Sequence, residues 1–342
     1  MPGFFADSTL SEMQRILRAT QDDKRRAQND NDIGFFSSLL TPVPMRITER
    51  ENPAFASLDT KTTREILRLI AREDARVPAA VRKVLPQIAR AVDLIVEALS
   101  MGGRLVYLGA GTSGRLGVLD AAECLPTFGT DRVIGVMAGG PSAMFRPSEG
   151  AEDNAAQAVG DLRKIKLTSR DVLVGISASG DTAYVLGGLR YARRIGASTV
   201  AVTCNPKTPI EQSADVSIVP VVGPEVLAGS TRMKAGTAQK LVLNMLSTAS
   251  MVRWGRVLSN WMINVQLTNR KLRGRGCAIL MKACGVSRAR AARALDESGG
   301  KLPVAVLMLT KGVSRDEAAA MLNRGPSIAA VLRAAQAGRH TR

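Results

Sequence analysis

Residues 104–115 read RLVYLGAGTSGR, a short apolar run that is followed by three closely spaced glycines. The apolar part, residues 104–108, has the texture of a buried parallel strand. Glycines let a backbone approach a ligand closely, and Thr112 and Ser113 can cap the helix that should follow. Because unpaired N–H groups and the helix dipole face outward at a helix start, this segment predicts an anion-binding turn.

The same glycines match Gly-x-Gly-x-x-Gly, the pattern of dinucleotide-binding folds. That pattern expects an acidic residue about 20 positions further on, at the end of the second strand, where it would bind a ribose. The next apolar run, residues 132–137, ends in Ala138-Gly139-Gly140 and offers no acid. A nucleotide site is therefore the weaker alternative.

The composition bounds the class of protein. A chain of 342 residues with 45% hydrophobic content can form one large domain or two. No apolar run approaches about 20 residues, and the N-terminus lacks a basic segment followed by an apolar one. We therefore expect no membrane span and a cytoplasmic location. The four cysteines lack metal-ligand spacing, which favours free, mostly buried thiols.

Histidine and charge narrow the function further. The single histidine, His340, lies two residues from the C-terminus, which nearly excludes a Ser-His-Asp triad and a histidine-bound metal. The net charge is +17, and residues 251–342 hold 17 Lys and Arg against four acids. This charge fits two alternatives. One is a surface that binds phosphate-bearing ligands or nucleic acid, and the other is a solvated basic helical face. Because basic and aromatic residues do not alternate, nucleic acid is not the expected partner.

Apolar runs and helical segments alternate through the middle of the chain. Strands are predicted at 104–108, 132–137, 171–176, 198–203 and 216–221, with helices at roughly 115–124, 151–164, 182–195 and 209–213. This order predicts a parallel sheet covered on both faces, with ligands beyond the C-terminal ends of its strands. A long helix follows at about 234–257, and then short helices at 277–283, 287–295, 302–309, 314–322 and 327–334 form a small helical domain.

Two more polar loops should reach the same edge of the sheet. The loop at 177–182 reads SASGDT, and the hydroxyls of Ser177, Ser179 and Thr182 at a helix start suit a phosphate monoester. A serine-rich helix cap is the alternative.

The loop at 229–237 reads GSTRMKAGT and enters the long helix. Ser230 and Thr231 offer hydroxyls. Arg232 and Lys234 are cations at a helix start, where the dipole opposes them, so we expect them to face an anion.

Two groups of carboxylates complete the candidates. Asp120 and Glu123 are three residues apart and share one helix face. Glu149, Glu152 and Asp153 open another predicted helix, where acids are favourable whatever the function.

Together these motifs closely resemble the N-acetylmuramic acid 6-phosphate etherase family, over about residues 48–335. The segments that carry the resemblance are GAGTSGR at 109–115, Glu123-Cys124, EGAED at 149–153 and STRMKAGTAQK at 230–240. The resemblance implies a three-layer αβα sandwich of the sugar isomerase (SIS) type, with a five-stranded parallel sheet, at 46–270. It implies a small helical, UBA-like domain at 271–342, and leaves residues 1–45 as an extension.

The family's reaction cleaves the C3 ether of N-acetylmuramic acid 6-phosphate to give N-acetylglucosamine 6-phosphate and D-lactate. By motif, Glu152 matches the base that removes the C2 proton, and Glu123 matches the acid that protonates the departing lactate oxygen. We expect a helix start to keep Glu152 ionised, and apolar neighbours to keep Glu123 protonated. The resemblance implies a phosphorylated amino sugar as substrate, no metal or nucleotide cofactor, and a homodimer.

Three positions depart from the family's pattern. Asp181 replaces a usual arginine, while Leu125 and Phe128 replace a usual proline and tyrosine. An acid beside a phosphate loop weakens attraction if it faces the ligand, and is harmless if it points outward. Two other functions stay open: a phosphosugar-responsive regulator like the related glucokinase regulatory protein, and a phosphosugar isomerase.

Overall fold

A computed structural model of the chain describes residues 45–267, 269–324, 328, 331 and 332. Residues 1–44 of the predicted extension, most of the predicted helix at 327–334 and His340 lie outside the described residues. The chain divides into the units 1–45 and 46–342, and only the second is described here.

The predicted five-stranded parallel sheet is confirmed. Its strands are β1 (Leu105–Gly109), β2 (Val133–Met137), β3 (Val172–Ile176), β4 (Ser198–Val202) and β5 (Val216–Ile218). They pair in the order β2-β1-β3-β4-β5, and every pair is parallel. Only the predicted end of β5 is clearly wrong, because Pro220 has no N–H with which to continue the ladder.

Helices surround the sheet and continue beyond it. They are α1 (Thr63–Asp74), α2 (Val77–Arg82), α3 (Leu85–Ser100), α4 (Gly111–Phe128), α5 (Ala155–Lys164), α6 (Ala183–Arg194), α7 (Pro209–Gln212), α8 (Lys234–Arg253), α9 (Arg270–Cys284), α10 (Arg288–Glu297), α11 (Leu302–Lys311) and α12 (Arg315–Arg324). None of the helices in the described ranges is long and apolar enough to cross a bilayer.

The sheet is the middle of three layers. Leu105 and Tyr107 of β1 pack into one core with α2, α3, α4 and α8, while Val106 and Leu108 pack into a second core with α5, α6 and α7. Alternate side chains of a strand point to opposite faces, so burial of all four residues requires helices on both sides. The αβα sandwich is therefore confirmed.

The C-terminal helices have an apolar core of their own. Ile279 and Leu280 of α9 join Leu295, Leu302 and other residues in a cluster that also takes in Ile263 and Val265. Ser287 caps α10, since its hydroxyl accepts a hydrogen bond from the Arg290 N–H. The domain boundary at residue 270 stays a prediction, because this core extends across it.

Candidate functional site

The first predicted ligand turn is built on close backbone contacts. A Cβ atom on Gly114 would lie 2.7 Å from the carbonyl oxygen of Gly109, and one on Gly109 would lie 2.7 Å from the Gly114 nitrogen. Gly111, at the first position of α4, has a φ of +52°. Side chains would be excluded or strained at these positions, so the glycines allow the start of α4 to sit directly on the end of β1.

Thr112 and Ser113 do not cap α4. The helix begins at Gly111, earlier than predicted, so both residues lie inside its first turn and Ala110 is the N-cap without a side-chain hydrogen bond. Ser113 is buried, and its hydroxyl donates to Oε1 of Gln239 at 3.0 Å. Their assignment to a ligand stays a prediction, and Thr112 is the more accessible of the two.

The hydroxyls of the loop at 177–182 lie close together. Ser177 Oγ lies 2.7 Å from Thr182 Oγ1 and 3.3 Å from Ser179 Oγ. Ser177 also accepts from the Gly180 N–H, while Thr182, the N-cap of α6, makes no side-chain capping bond. The helix cap that was the alternative explanation is therefore absent at the start of α6, within the described residues.

Glu152 does not lie in the first turn of an α-helix. Asn154 caps α5 through the Gln157 N–H, and the acids before it form a separate 3₁₀ turn, Ala151–Asp153. The expectation that the dipole of α5 stabilises an ionised Glu152 directly is corrected accordingly, because Asn154 ends the 3₁₀ turn and occupies the helix start.

Glu152 nevertheless faces the ligand edge of the sheet. It lines a cavity of about 230 Å³ together with Ala110, Gly111, Arg115, Met137, Ala138, Ala143 and residues 147–151. Its turn packs against α6, and a Cβ on Gly187 would lie 2.6 Å from the Ala155 oxygen. This close approach brings Glu152 next to the helix that follows the hydroxyl loop.

Glu123 lies elsewhere. It lies twelve positions after Gly111, a rise of about 18 Å along a helix. One turn before it, Asp120 accepts a hydrogen bond from Tyr107 Oη at 3.0 Å, so α4 runs back along β1, away from the ligand edge. Glu123 is exposed and does not line the cavity around Glu152, so within one chain the two glutamates are not brought together.

The expected apolar burial of Glu123 is therefore wrong for a single chain. Two nearby residues of α4 are buried instead: Cys124 donates its thiol to the Asp120 carbonyl, and Asp120 Oδ1 lies 2.8 Å from the Nζ of the partly buried Lys240. Burial, and then the charge of Asp120, raise the pKa of Cys124 to about 12. A thiol in that state is protonated near neutral pH, so Cys124 is unsuited to be a nucleophile.

Lys234 has an internal counter-ion. Its Nζ lies 2.7 Å from Glu73 Oε2, and both side chains are almost fully buried. The reason for assigning Lys234 to an anionic ligand is thereby removed, and that expectation is corrected. Arg232 is exposed, and Ser230 and Thr231 are partly buried beside it.

Glu225 explains how a cation can begin the long helix. Its two carboxylate oxygens accept the backbone N–H groups of Lys234 and Ala235 at 3.0 and 2.9 Å. Burial raises the pKa of Glu225, and these hydrogen bonds oppose the rise. The sequence contained Glu225, but only the fold shows that it caps α8 from nine residues upstream.

The third loop joins the first. A Cβ on Gly236 would lie 3.5 Å from Cγ2 of Thr112 and 3.5 Å from the Thr231 oxygen. The loops after β1 and β5 thus meet over the sheet edge that also carries the hydroxyl loop after β3.

Asp181 is paired, and its partner was missed by sequence reasoning. Arg46 Nε and Nη2 each lie 2.5 Å from one oxygen of the Asp181 carboxylate. No sequence pattern links two residues that are 135 positions apart, so only the folded chain could reveal this pair.

A parallel sheet between two helical layers, with polar loops at its C-terminal edge, is the architecture of a SIS domain. Family models agree: the glucokinase regulatory protein N-terminal SIS domain matches residues 87–193, and the SIS domain matches residues 156–249. Two curated N-acetylmuramic acid 6-phosphate etherases, from Yersinia pestis (strain Pestoides F) and Yersinia pseudotuberculosis serotype O:1b (strain IP 31758), are each 56% identical over 274 residues. These alignments cover 80% of this chain and 93% of each relative. The chain belongs to the N-acetylmuramic acid 6-phosphate etherase family.

Solved structures are more distant. A putative phosphosugar isomerase involved in capsule formation from Bacteroides fragilis is 22% identical, with a TM-score of 0.45, over 56% of this chain and 91% of its own. The phosphoheptose isomerase from Neisseria gonorrhoeae is 20% identical, with a TM-score of 0.42, over 55% of this chain and 98% of its own.

Proposed function

We propose that this protein is an N-acetylmuramic acid 6-phosphate etherase that releases D-lactate and N-acetylglucosamine 6-phosphate. One observation carries the proposal: in a member of this family, Glu152 lines a cavity beside the helix that follows a three-hydroxyl loop. A carboxylate base next to a phosphate-binding loop is what removal of a proton from a phosphorylated sugar needs.

The reaction begins at C2 of the ring-opened sugar. Glu152 takes the C2 proton, and the electron pair is delocalised into the neighbouring aldehyde. The C3–O bond then breaks, and the lactate oxygen receives a proton from Glu123. Water adds to C3 of the unsaturated aldehyde and a proton returns to C2, which gives N-acetylglucosamine 6-phosphate.

The phosphate group of the sugar occupies the loop at 177–182 in this proposal. Ser177, Ser179 and Thr182 supply hydroxyl donors, and the start of α6 supplies backbone N–H groups. From the third loop, Ser230, Thr231 and Arg232 complete the polar surroundings of the sugar, together with Thr112 and Ser113 of the first.

A homodimer with a shared site accounts for the position of Glu123. Leu119, one turn before Glu123 on α4, is 45% exposed, and Leu125 on the same helix is 42% exposed; both are apolar side chains that a second copy would cover. Covering it would also desolvate Glu123 and favour the protonated form that an acid needs. Each site would then combine Glu152 of one copy with Glu123 of the other.

The domain division is part of the same proposal. Residues 46–270 form the SIS domain that carries the site, and residues 271–342 form a small helical domain. In this proposal the basic residues of the second domain form a solvated helical face, and nucleic acid is not a partner.

Incubation with N-acetylmuramic acid 6-phosphate in deuterated water tests the function. We expect D-lactate and an N-acetylglucosamine 6-phosphate that carries deuterium at C2. Conversion of an aldose into a ketose without lactate would favour an isomerase, and binding of the phosphosugar without turnover would favour a regulator.

A further inference from the structure

A chain segment far from the predicted motifs borders the hydroxyl loop. Arg46 precedes the 3₁₀ turn Ile47–Glu49, and its guanidinium makes a bidentate ion pair with Asp181, at the end of the loop. Arg46 Nη1 also donates to the Lys207 carbonyl oxygen at 3.4 Å. These three hydrogen bonds fix the guanidinium at the edge of the loop.

The segment itself is anchored to the loop backbone. Thr48 and Asn205 are both buried, and the Asn205 amide accepts from the Thr48 N–H at 3.2 Å. Its Nδ2 donates to Thr48 Oγ1 and to the Ala178 carbonyl oxygen, both at 2.9 Å. Asn205 therefore holds the segment against the middle of the hydroxyl loop.

The other end of the segment reaches the third loop. A Cβ on Gly229 would lie 3.1 Å from Oε2 of Glu49. Residues 46–49 thus lie between the loop at 177–182 and the loop that begins at Gly229, which makes the segment a border of the site.

The charge of the hydroxyl loop gives this border a function. A phosphate monoester carries between one and two negative charges near neutral pH, but the loop at 177–182 contains an acid and no cation. Among the described residues, Arg46 uses three of its five N–H donors, and its side chain is 17% exposed. A fixed guanidinium with two donors left suits a phosphate oxygen.

We propose that Arg46 supplies the positive charge of the phosphate site and that Asp181 positions it there. The proposal rests on the function proposed above, because it uses the same loop, and adds a residue that lies outside every motif of the site. Asp181 then acts through Arg46, and its negative charge orients the guanidinium instead of facing the ligand.

Two double variants distinguish two roles of Arg46: binding the phosphate through its charge, or only holding residues 46–49 in place through its ion pair with Asp181. Arg46→Gln with Asp181→Asn keeps a hydrogen-bonding pair and removes both charges. Arg46→Ala with Asp181→Arg removes the ion pair and places a cation on the loop itself. Arg64→Gln, on the exposed face of α1, is the matched control.

Affinity for N-acetylglucosamine 6-phosphate by calorimetry, and KM and kcat for lactate release, are measured for each variant. We expect the uncharged pair to weaken affinity and raise KM by about tenfold, the usual effect of a lost charge-assisted hydrogen bond, with little change in kcat. The variant with arginine at 181 should bind within about threefold of the wild type. If the uncharged pair bound the phosphosugar more tightly than the variant with Asp181→Arg, and Arg64→Gln were unchanged, the ion pair would only hold the segment in place and the proposal would be overturned.

The two proposals fail in different ways. If the wild type binds the phosphosugar but releases no lactate, the proposed reaction is wrong, while the calorimetric comparison still tests Arg46. If the wild type releases lactate and the uncharged pair has an unchanged KM, only the role of Arg46 is wrong. Thermal unfolding of each variant confirms that the protein being assayed is folded.

Discussion

The loop edge of the sheet and the exposed half of α4 carry the two proposed catalytic glutamates in contrasting surroundings. At the loop edge, Glu152 is exposed but lines a cavity, three hydroxyls meet, and Thr48 and Asn205 are buried behind them. On α4, Glu123 is exposed, and the apolar side chains of Leu119 and Leu125 on the same helix are exposed too. The first region is assembled by one chain, whereas the second would be completed only by the second copy of the proposed dimer.

This contrast shows that a local sequence motif can determine where a side chain lies, whereas its protonation also depends on which other parts of the protein pack against it. A loop between a strand and a helix has its position fixed by the sheet, so its hydroxyls meet wherever the strands end. The protonation of an acid depends on what excludes water from it, and no part of α4 does so for Glu123 within the described residues.

Replacement of Glu152 gives the largest expected effect. Glu152→Gln should lower lactate release by about 10³-fold and abolish deuterium exchange at C2, because the base for the first step is lost. Binding of N-acetylglucosamine 6-phosphate should persist. Asp153→Asn in the same turn is the control, and undiminished C2 exchange in Glu152→Gln would contradict its role.

The buried support of the loop edge comes next. Glu73→Gln leaves the Lys234 ammonium buried without its counter-ion, and should reduce the free energy of unfolding by about 3 kcal/mol in a urea titration. Glu97→Gln, exposed on α3, should change it by less than about 0.5 kcal/mol. Equal stabilities of the two variants would mean that the ion pair does not hold the start of α8.

Glu123→Gln should act on a different step from Glu152→Gln. Lactate release should fall by about 10²-fold because the leaving group loses its acid, while C2 exchange in deuterated water continues. If Glu123→Gln lost C2 exchange and lactate release to the same extent, Glu123 would act in the same step as Glu152, and the assignment of one as base and the other as acid would be wrong.

The smallest effect concerns an ion pair at the start of β1. Arg104 Nη2 lies 2.8 Å from Asp171 Oδ2, and although burial opposes it, hydrogen bonds from Arg104 and Thr168 lower the pKa of Asp171. A carboxyl group with a lowered pKa contributes stability above its unfolded pKa, about 3.9, and loses it as the pH falls through the folded value.

Arg104→Gln should therefore lower the free energy of unfolding by about 1–2 kcal/mol at pH 7, and by less near pH 3. Urea titrations of both proteins at the two pH values check this. Lactate release at pH 7 should be unchanged, and a difference in stability that grows on acidification would reverse the assigned sign.

Much of the fold could be predicted from the sequence because apolar runs and glycine turns are local signals. The bounds of β1 are predicted to within one residue, and the hydroxyl loop at 177–182 lies where polar residues follow an apolar strand. The helix starts were less accurate, since Gly111 and Asn154 set them through backbone geometry and capping.

The partners of charged residues could not be predicted in this way. Lys234 was assigned to a ligand, but its counter-ion Glu73 is 161 positions away, and Arg46 is 135 positions from Asp181. Opposite charges at such separations leave no periodic trace in a sequence, and only the packing of α1 and the 46–49 segment against the sheet loops brings them together.

Complementation between inactive variants tests the shared site most directly. Glu123→Gln and Glu152→Gln chains are unfolded together, refolded as a mixture and assayed for lactate release. If each site takes Glu152 from one copy and Glu123 from the other, a mixed dimer has one intact site, and a random mixture should recover about a quarter of wild-type activity. Activity no higher than that of either variant alone, in a mixture shown to contain mixed dimers, would contradict the shared site.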